Sequence, residues 1–303
     1  MYVAVLVSNP GVARLTPEVV QPVRDRLNGD TISWLADGKA CEFLLGEKPG
    51  AGVISDIRTR LHPSQVDLCV VPGANRKKRV LFADMDSTMI LEESLDELAA
   101  HVGIGDEVKK ITAAAMNGEL EFEEAVRHRV GLLAGLEVSV IDHVVDNRIT
   151  LAPGGQELVA TMKADGAYSV LVSGGFEDFT RVVATRLGFD EYRANALVKR
   201  DGKLTGEPGT PILGREAKAE TLSEVTERLG LRAEDVLAVG DGANDLDMLR
   251  TAGIGVAHHA KPAVAARSRH VLEFADLSGL LFLQGYRLNE FQWPGSPAGT
   301  SAR

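Results

Sequence analysis

Asp84 and Asp86 stand one residue apart at the end of the apolar run in VLFADMDSTMI, residues 80–90. Such a run reads as a buried strand, and its abrupt end in two acids delivers two carboxylates to one place. Two later runs end in a similar way. AYSVLVS closes on Ser173 and is followed by Gly174 and Gly175, and EDVLAVG leads into GDGANDLDM with Asp241, Asn244 and Asp245. Lys218 sits on a helix-like stretch, GREAKAE, ahead of the third run. In an open α/β sheet, strand ends of this kind line the ligand site.

Asp84, Asp86, Asp241 and Asp245 brought into one pocket would repel, so a cation must be present to keep most of them ionised. Oxygen ligands without His or Cys favour Mg2+, which keeps several waters and is commonly completed by a substrate phosphate. Given a metal and a phosphate, Asp84 is placed to attack phosphorus and form an aspartyl phosphate. Asp86 is near enough to protonate the leaving oxygen and then to deprotonate water. Lys218 supplies positive charge, and Ser173 with the N–H groups of Gly174 and Gly175 can donate to phosphate oxygens. Asp84, Asp241 and Asp245, with the backbone carbonyl of Asp86, form the expected metal set. An Asp-x-Asp turn, a Gly-rich turn or a helix lysine is commonplace singly. Their order along one chain carries the reading.

The elements that must position these residues form two groups. From residue 79 on, RVLFA, AYSVLVS, EDVLAVG and GIGVA are strand-like, and several lead through Gly, Ser or Asp turns into helix-like stretches. This predicts an α/β parallel sheet with helices on both faces. Residues 91–152 repeat apolar side chains at helical spacing, as in LDELAAHVG and FEEAVRHRVGLLAGL, and predict an inserted helical cap. Ahead of the sheet, YVAVLVS, TPEVVQPVRDRL, TISWLA, CEFLLG, GVISDIRTRL and VDLCVVPG give βαββαβ, the order of a ferredoxin-like domain. The expected division is residues 1–76, residues 77–290 and a disordered tail, 291–303. PGANRKKR reads as a solvated linker, and His258 and His259 as loop residues.

The 303 residues carry a formal charge of -10, which argues against a nucleic-acid footprint. Cys41 and Cys69 read as buried thiols in a reducing compartment. The N-terminus lacks a basic leader and no stretch reaches the length of a membrane span, so a cytoplasmic protein with no membrane association is expected.

DMDST, SGGF, Lys218 and GDGANDLDM resemble the four motifs of the haloacid dehalogenase (HAD) superfamily, over residues 79 to about 285. The resemblance implies a HAD-like Rossmannoid sheet with an inserted cap, and Mg2+ as cofactor. More narrowly, the chain is similar to the phosphoserine phosphatases of that superfamily. DMDSTMILEES puts Glu93 where that family holds the substrate amino group. Met116, Phe122 and Arg129 match its cap pattern, the arginine taking the substrate carboxylate, and Asn244 matches a residue near the phosphate. An arginine fork suits a carboxylate because it can bind both oxygens. The implied activity is hydrolysis of O-phospho-L-serine to L-serine and phosphate, the last step of L-serine biosynthesis. The N-terminal βαββαβ resembles ACT-like domains, which implies a homodimer contact or a regulatory role.

Two other readings share these residues. The phosphoryl group could come from another small metabolite or pass to an acceptor such as homoserine. A non-catalytic amino-acid-binding regulator is disfavoured, since nucleophile, acid and metal positions are all present.

Overall fold

A computed structural model describes residues 1–9, 11, 14–116 and 119–293, without the side chains of Ala115, Met116 and Phe122. From residue 294 on, the expected tail lies outside the described residues. The first sheet is built from β1 (Tyr2–Ser8), β2 (Ser33–Ala36), β3 (Ala40–Leu45) and β4 (Val66–Pro72), with α1 (Pro17–Arg26) and α2 (Ala51–Leu61) as its crossovers. Its order is β2-β3-β1-β4 and every pairing is antiparallel, Val5 standing opposite Glu42 on one side and Cys69 on the other. That is the expected ferredoxin-like arrangement. The unbroken apolar run of β1 has a physical reason. Ala4 and Leu6 pack with Val20, Val23 and Ile57 of the helices, while Val3, Val5 and Val7 join the main core beyond the sheet. A strand buried on both faces loses the polar alternation of a half-exposed one.

The second sheet orders its strands β12-β11-β10-β5-β6-β7, all parallel. They are β5 (Val80–Ala83), β6 (Tyr168–Phe176), β7 (Glu191–Asn195), β10 (Val236–Gly240), β11 (Ile254–His258) and β12 (His270–Leu272). Alternate residues of β5 divide between two layers. Leu81 and Ala83 meet the core of α7 (Gly155–Ala164), α8 (Glu177–Leu187) and α12 (Gly279–Leu283), while Val80 and Phe82 meet that of α9 (Arg215–Arg228) and α10 (Leu246–Thr251). A short α11 (Pro262–Ala265) precedes β12. Since β5 lies between β6 and β10, the chain reverses direction across the sheet at its carboxyl end, where a ligand crevice opens.

The cap comprises α3 (Ser94–His101), α4 (Gly105–Met116), α5 (Phe122–Gly131) and α6 (Ser139–Arg148). Its two roots run side by side, Ile90 bridging Leu151. A hairpin absent from the sequence reading, β8 (Leu197–Arg200) and β9 (Lys203–Pro208), buttresses it. Gly135 N–H donates to Leu204 O at 2.8 Å and Val138 N–H to Gly202 O at 2.9 Å. Among the described residues no helix is long and apolar enough to cross a membrane.

Two expectations need correction. RKKR joins β4 to β5 with Lys77 and Arg79 exposed, but Arg76 and Lys78 are not solvated. Arg76 pairs with Glu42 at 2.8 Å and donates to Leu283 O, while Lys78 is buried and donates to the carbonyls of Asn75 and Glu234 at 2.6 and 2.7 Å. These cations satisfy backbone carbonyls where the two sheets meet, a demand that charge counting along the chain does not reveal. The carboxylate of Asp67, on β4, adds to the joint by accepting the N–H groups of Glu273, Phe274 and Ala275 at 2.8 to 3.0 Å.

His258, in turn, is a strand residue rather than a loop one, buried at the end of β11 and stacked on His259 with ring centroids 4.0 Å apart. His270 is also buried, its ring nitrogens facing Gly255 O and Val70 O. Burial pushes the imidazole of His258 down to about 3 and that of His270 down to about 4. Both are neutral in the fold, but on unfolding each takes up a proton below its ordinary value of about 6.5. Each histidine therefore adds a contribution that falls as pH drops from about 6.5 toward 4, by about 1.4 kcal/mol per pH unit, while the buried carboxyls of Asp86 and Asp241, both pushed up to about 6, act in the opposite direction. Urea melts at a series of pH values should give slopes for wild type and His270→Asn that differ by one proton over this window. An unchanged slope in the variant would remove His270 from the account.

Candidate active site

The turn that follows β5 places both acids. Asp84 N–H continues the ladder by donating to Val239 O at 3.0 Å, and Ile90 N–H closes back on Met85 O at 3.0 Å. Met85 and Met89 are fully buried and anchor the loop from below. Ser87, at φ 54°, turns the chain through the left-handed region between the two acids and the cap.

Asp84, Asp241 and Asp245, all buried, bring carboxylate oxygens within 4.8 Å of one another. Lys218, 2% exposed on the first turn of α9, reaches Asp84 Oδ1 and Asp245 Oδ1, each at 2.6 Å. The second oxygen of Asp245 accepts Gly242 N–H at 2.9 Å, and Asp241 Oδ1 accepts the Thr88 hydroxyl at 3.0 Å. Three carboxylates thus face one ammonium. Burial and the charge of Asp245 push the Asp84 carboxyl well above its usual range, against the pull of Lys218. Burial and Asp245 also push Asp241 up, to about 6. Burial alone would lower the Lys218 ammonium, but Asp245 and Asp84 hold it above the usual lysine range. A surplus of buried negative charge in an oxygen-only donor set fits a hard divalent cation, and these three aspartates could hold one.

The side chain of Asp86 points elsewhere. Its Oδ1 accepts Ser94 N–H, the first of α3, at 2.7 Å, and its Oδ2 accepts the Ser173 hydroxyl at 3.2 Å. Burial, then the charge of Glu93, push its carboxyl up to about 6. A carboxyl with that proton affinity can give a proton to a leaving oxygen and take one from water near neutral pH. A Cβ on Gly175 would stand 2.8 Å from Asp86 Oδ2 and 3.0 Å from Ser173 Oγ, so any other residue there would displace the Asp86 or Ser173 side chain. Its N–H donates to Ser173 Oγ at 2.9 Å. β6 therefore runs on through Ser173 to Phe176, with a shift in its pairing with β7 that takes up the two glycines.

From the cap, Glu93 accepts the Ser87 hydroxyl at 2.9 Å. Arg129, half-buried on α5, donates its Nε–H only to Ala125 O at 3.3 Å and has no ion pair within 4.0 Å among the described residues. Burial lowers its guanidinium, while Asp96, Glu93 and Asp86 act in the other direction, which places all three acids within its field. Met116 and Phe122, expected to line the same pocket, have side chains outside the described residues. Asn244 is half-buried in the turn between Asp241 and Asp245.

Sequence reasoning missed Asn195 and Thr88. Asn195, 1% exposed at the end of β7, donates to Gly174 O at 2.9 Å and accepts Leu213 N–H at 2.6 Å. It ties the glycine turn to the segment that starts the Lys218 helix. A lone amide ending a short polar strand gave no local signal. Thr88 lay inside the quoted DMDST, and its hydroxyl beside the acids was the available clue.

The description haloacid dehalogenase-like hydrolase matches residues 81–250. The chain is 42% identical over 229 residues to a phosphoserine phosphatase of Streptomyces coelicolor, covering 75% of this chain and 56% of that protein. It is 42% identical over 224 residues to one from Archaeoglobus fulgidus, covering 73% and 65% respectively. The match thus spans less than two thirds of the length of these two relatives. Among solved structures, a HAD family hydrolase from Salmonella enterica serovar Typhi superposes with TM-score 0.84 at 29% identity, over 93% of this chain and 97% of the other. A phospho-aspartyl intermediate analogue of phosphoserine phosphatase superposes with TM-score 0.63 at 39% identity, over 68% and 98%.

Proposed function

From a chain that belongs to the haloacid dehalogenase-like hydrolases, we infer that the site is that of a Mg2+-dependent phosphatase which converts O-phospho-L-serine and water to L-serine and phosphate. The observation that carries this reading is Asp84 at the end of the central strand, one oxygen held by Lys218 and the other without a hydrogen bond among the described residues. In the first step that oxygen forms a bond to phosphorus as the phosphorus–oxygen bond to serine breaks, and Asp86 gives its proton to the departing serine oxygen. In the second, the Asp86 carboxylate takes a proton from water, whose oxygen bonds to phosphorus and releases Asp84. The solved phospho-aspartyl analogue of a related phosphoserine phosphatase supports this route.

Asp84, Asp241 and Asp245, with the Asp86 carbonyl, would hold Mg2+, which when bound neutralises the clustered carboxylates and polarises a phosphate oxygen. Lys218 pulls Asp84 toward its ionised form and aims it, and Ser173, Gly174, Gly175 and Asn244 line the phosphate. Glu93 takes the substrate ammonium and Arg129 its carboxylate, with Met116 and Phe122 closing the pocket from the cap. Residues 1–76 serve as a dimerisation or regulatory domain of a cytoplasmic homodimer, a reading that rests on the antiparallel βαββαβ sheet they form.

Phosphate release from O-phospho-L-serine and from an aryl phosphate, with Mg2+ and with chelator, tests the assignment. Preference for O-phospho-L-serine, lost on chelation, is the expected result. Arg129→Ala should cut kcat/KM for O-phospho-L-serine by about 10²- to 10³-fold, the loss typical when one partner of a buried charge pair is truncated. The aryl phosphate has no carboxylate to lose and should be much less affected. Equal losses on both would overturn the role of Arg129.

A further inference from the structure

Two adjacent hydroxyls in the turn after β5 bond to two different carboxylates. Ser87 Oγ donates to Glu93 Oε1 at 2.9 Å, and Thr88 Oγ1 donates to Asp241 Oδ1 at 3.0 Å. Thr88 is 1% exposed, so its bond to Asp241 is sealed from water, whereas Ser87 lies at the mouth of the site with Glu93. The backbone explains how neighbouring residues serve both ends. Ser87 is at φ 54° and ψ 8°, and its N–H donates to Glu92 O at 3.1 Å, which turns the cap root back over the turn. Glycine would take that conformation without the steric cost of a Cβ. The serine that stands there instead commits its hydroxyl to Glu93.

We propose that Ser87 and Thr88 are positioning residues, Thr88 fixing the rotamer of the Asp241 metal ligand and Ser87 that of the Glu93 substrate ligand. One rigid turn then sets the spacing between the metal end of the site and the amino end of the substrate. With Oδ1 engaged by Thr88, the other oxygen of Asp241 carries no hydrogen bond among the described residues and is the one left to serve a cation. Outer-shell hydrogen bonds of this kind orient ligating carboxylates, and their loss typically costs about 10- to 100-fold in metal affinity. This inference rests on the Mg2+ and O-phospho-L-serine reading above, and the experiment separates the two.

Calorimetric titration of the full chain with Mg2+, in the absence of substrate, compares wild type with Thr88→Val, Thr88→Ala and Thr88→Ser. The two variants without a hydroxyl should bind Mg2+ about 10- to 100-fold more weakly, while Thr88→Ser restores affinity to near wild type. Circular dichroism identifies any variant that fails to fold, and the valine and alanine forms serve as substitutes for each other. Independently, Ser87→Ala should lower kcat/KM on O-phospho-L-serine about tenfold more than on an aryl phosphate, mainly through KM. Wild type that binds no Mg2+ would overturn the metal reading itself. Wild type that binds with valine and alanine forms equally tight would overturn the role of Thr88 alone, and equal losses on the two substrates would overturn that of Ser87.

Discussion

Asp84→Asn is expected to abolish turnover, with a loss in kcat on the order of 10⁴-fold or more, because the amide oxygen is not a nucleophile that can carry the phosphoryl group. The fold should survive and gain. The Asp84 carboxyl is pushed up by burial and by Asp245, so in the metal-free protein the ionised form is the unfavourable one. A neutral isostere relieves that repulsion while its carbonyl oxygen can still accept the Lys218 ammonium. Thermal melts in chelator should therefore show Asp84→Asn at least as stable as wild type, and addition of Mg2+ should stabilise the variant less than wild type. Acid quenching during turnover followed by intact mass measurement should find one added phosphoryl group on wild type and none on the variant. A variant with most of its turnover left would place the nucleophile on another residue.

The acids were legible in the sequence because their signal is local. An apolar run that ends in carboxylates needs no distant partner to be read as a strand end, and this holds for Asp84 and Asp86 after β5 and for Asp241 after β10. The cap was legible through helical spacing of its apolar residues. What stayed hidden depends on pairing across the chain. Asn195 becomes a structural clamp only once β7 brings it beside Gly174 and Leu213. Arg76 and Lys78 looked solvated because the carbonyls they satisfy, at Leu283 and Glu234, come from the far end of the sequence. β12 is three residues long and β7 carries charges, so neither presents a pattern that stands out from a loop. The β8–β9 hairpin did leave a signal, Asp201-Gly202, where both residues take positive φ as a two-residue hairpin turn demands.

Lys218 is the residue whose removal should affect stability and chemistry together. It is buried against Asp84 and Asp245 at 2.6 Å each, and it is the one cation in direct contact with the carboxylate cluster among the described residues. Lys218→Met keeps the length of the side chain and its apolar stem but removes the charge. The carboxylates are then left buried without a counter-charge, which costs about 3–5 kcal/mol when one partner of a buried pair is deleted. In chelator the melting temperature should fall by several degrees, at roughly 2–4 °C per kcal/mol. Mg2+ should recover part of that loss, since a divalent cation answers the same surplus of negative charge. The kinetic loss should remain after Mg2+ is restored, on the order of 10²- to 10³-fold in kcat, as for the removal of one charge-stabilising donor from a transition state. Together with Asp84→Asn this makes a test of sign. Removing a negative charge from the cluster should leave the apo protein as stable or more so, and removing the positive one should destabilise it. The double variant should recover part of the loss, because the carboxylate that Lys218 answered at Asp84 is gone with it. If both single variants destabilise alike, packing rather than surplus charge governs the site, and the electrostatic case for a divalent cation there fails.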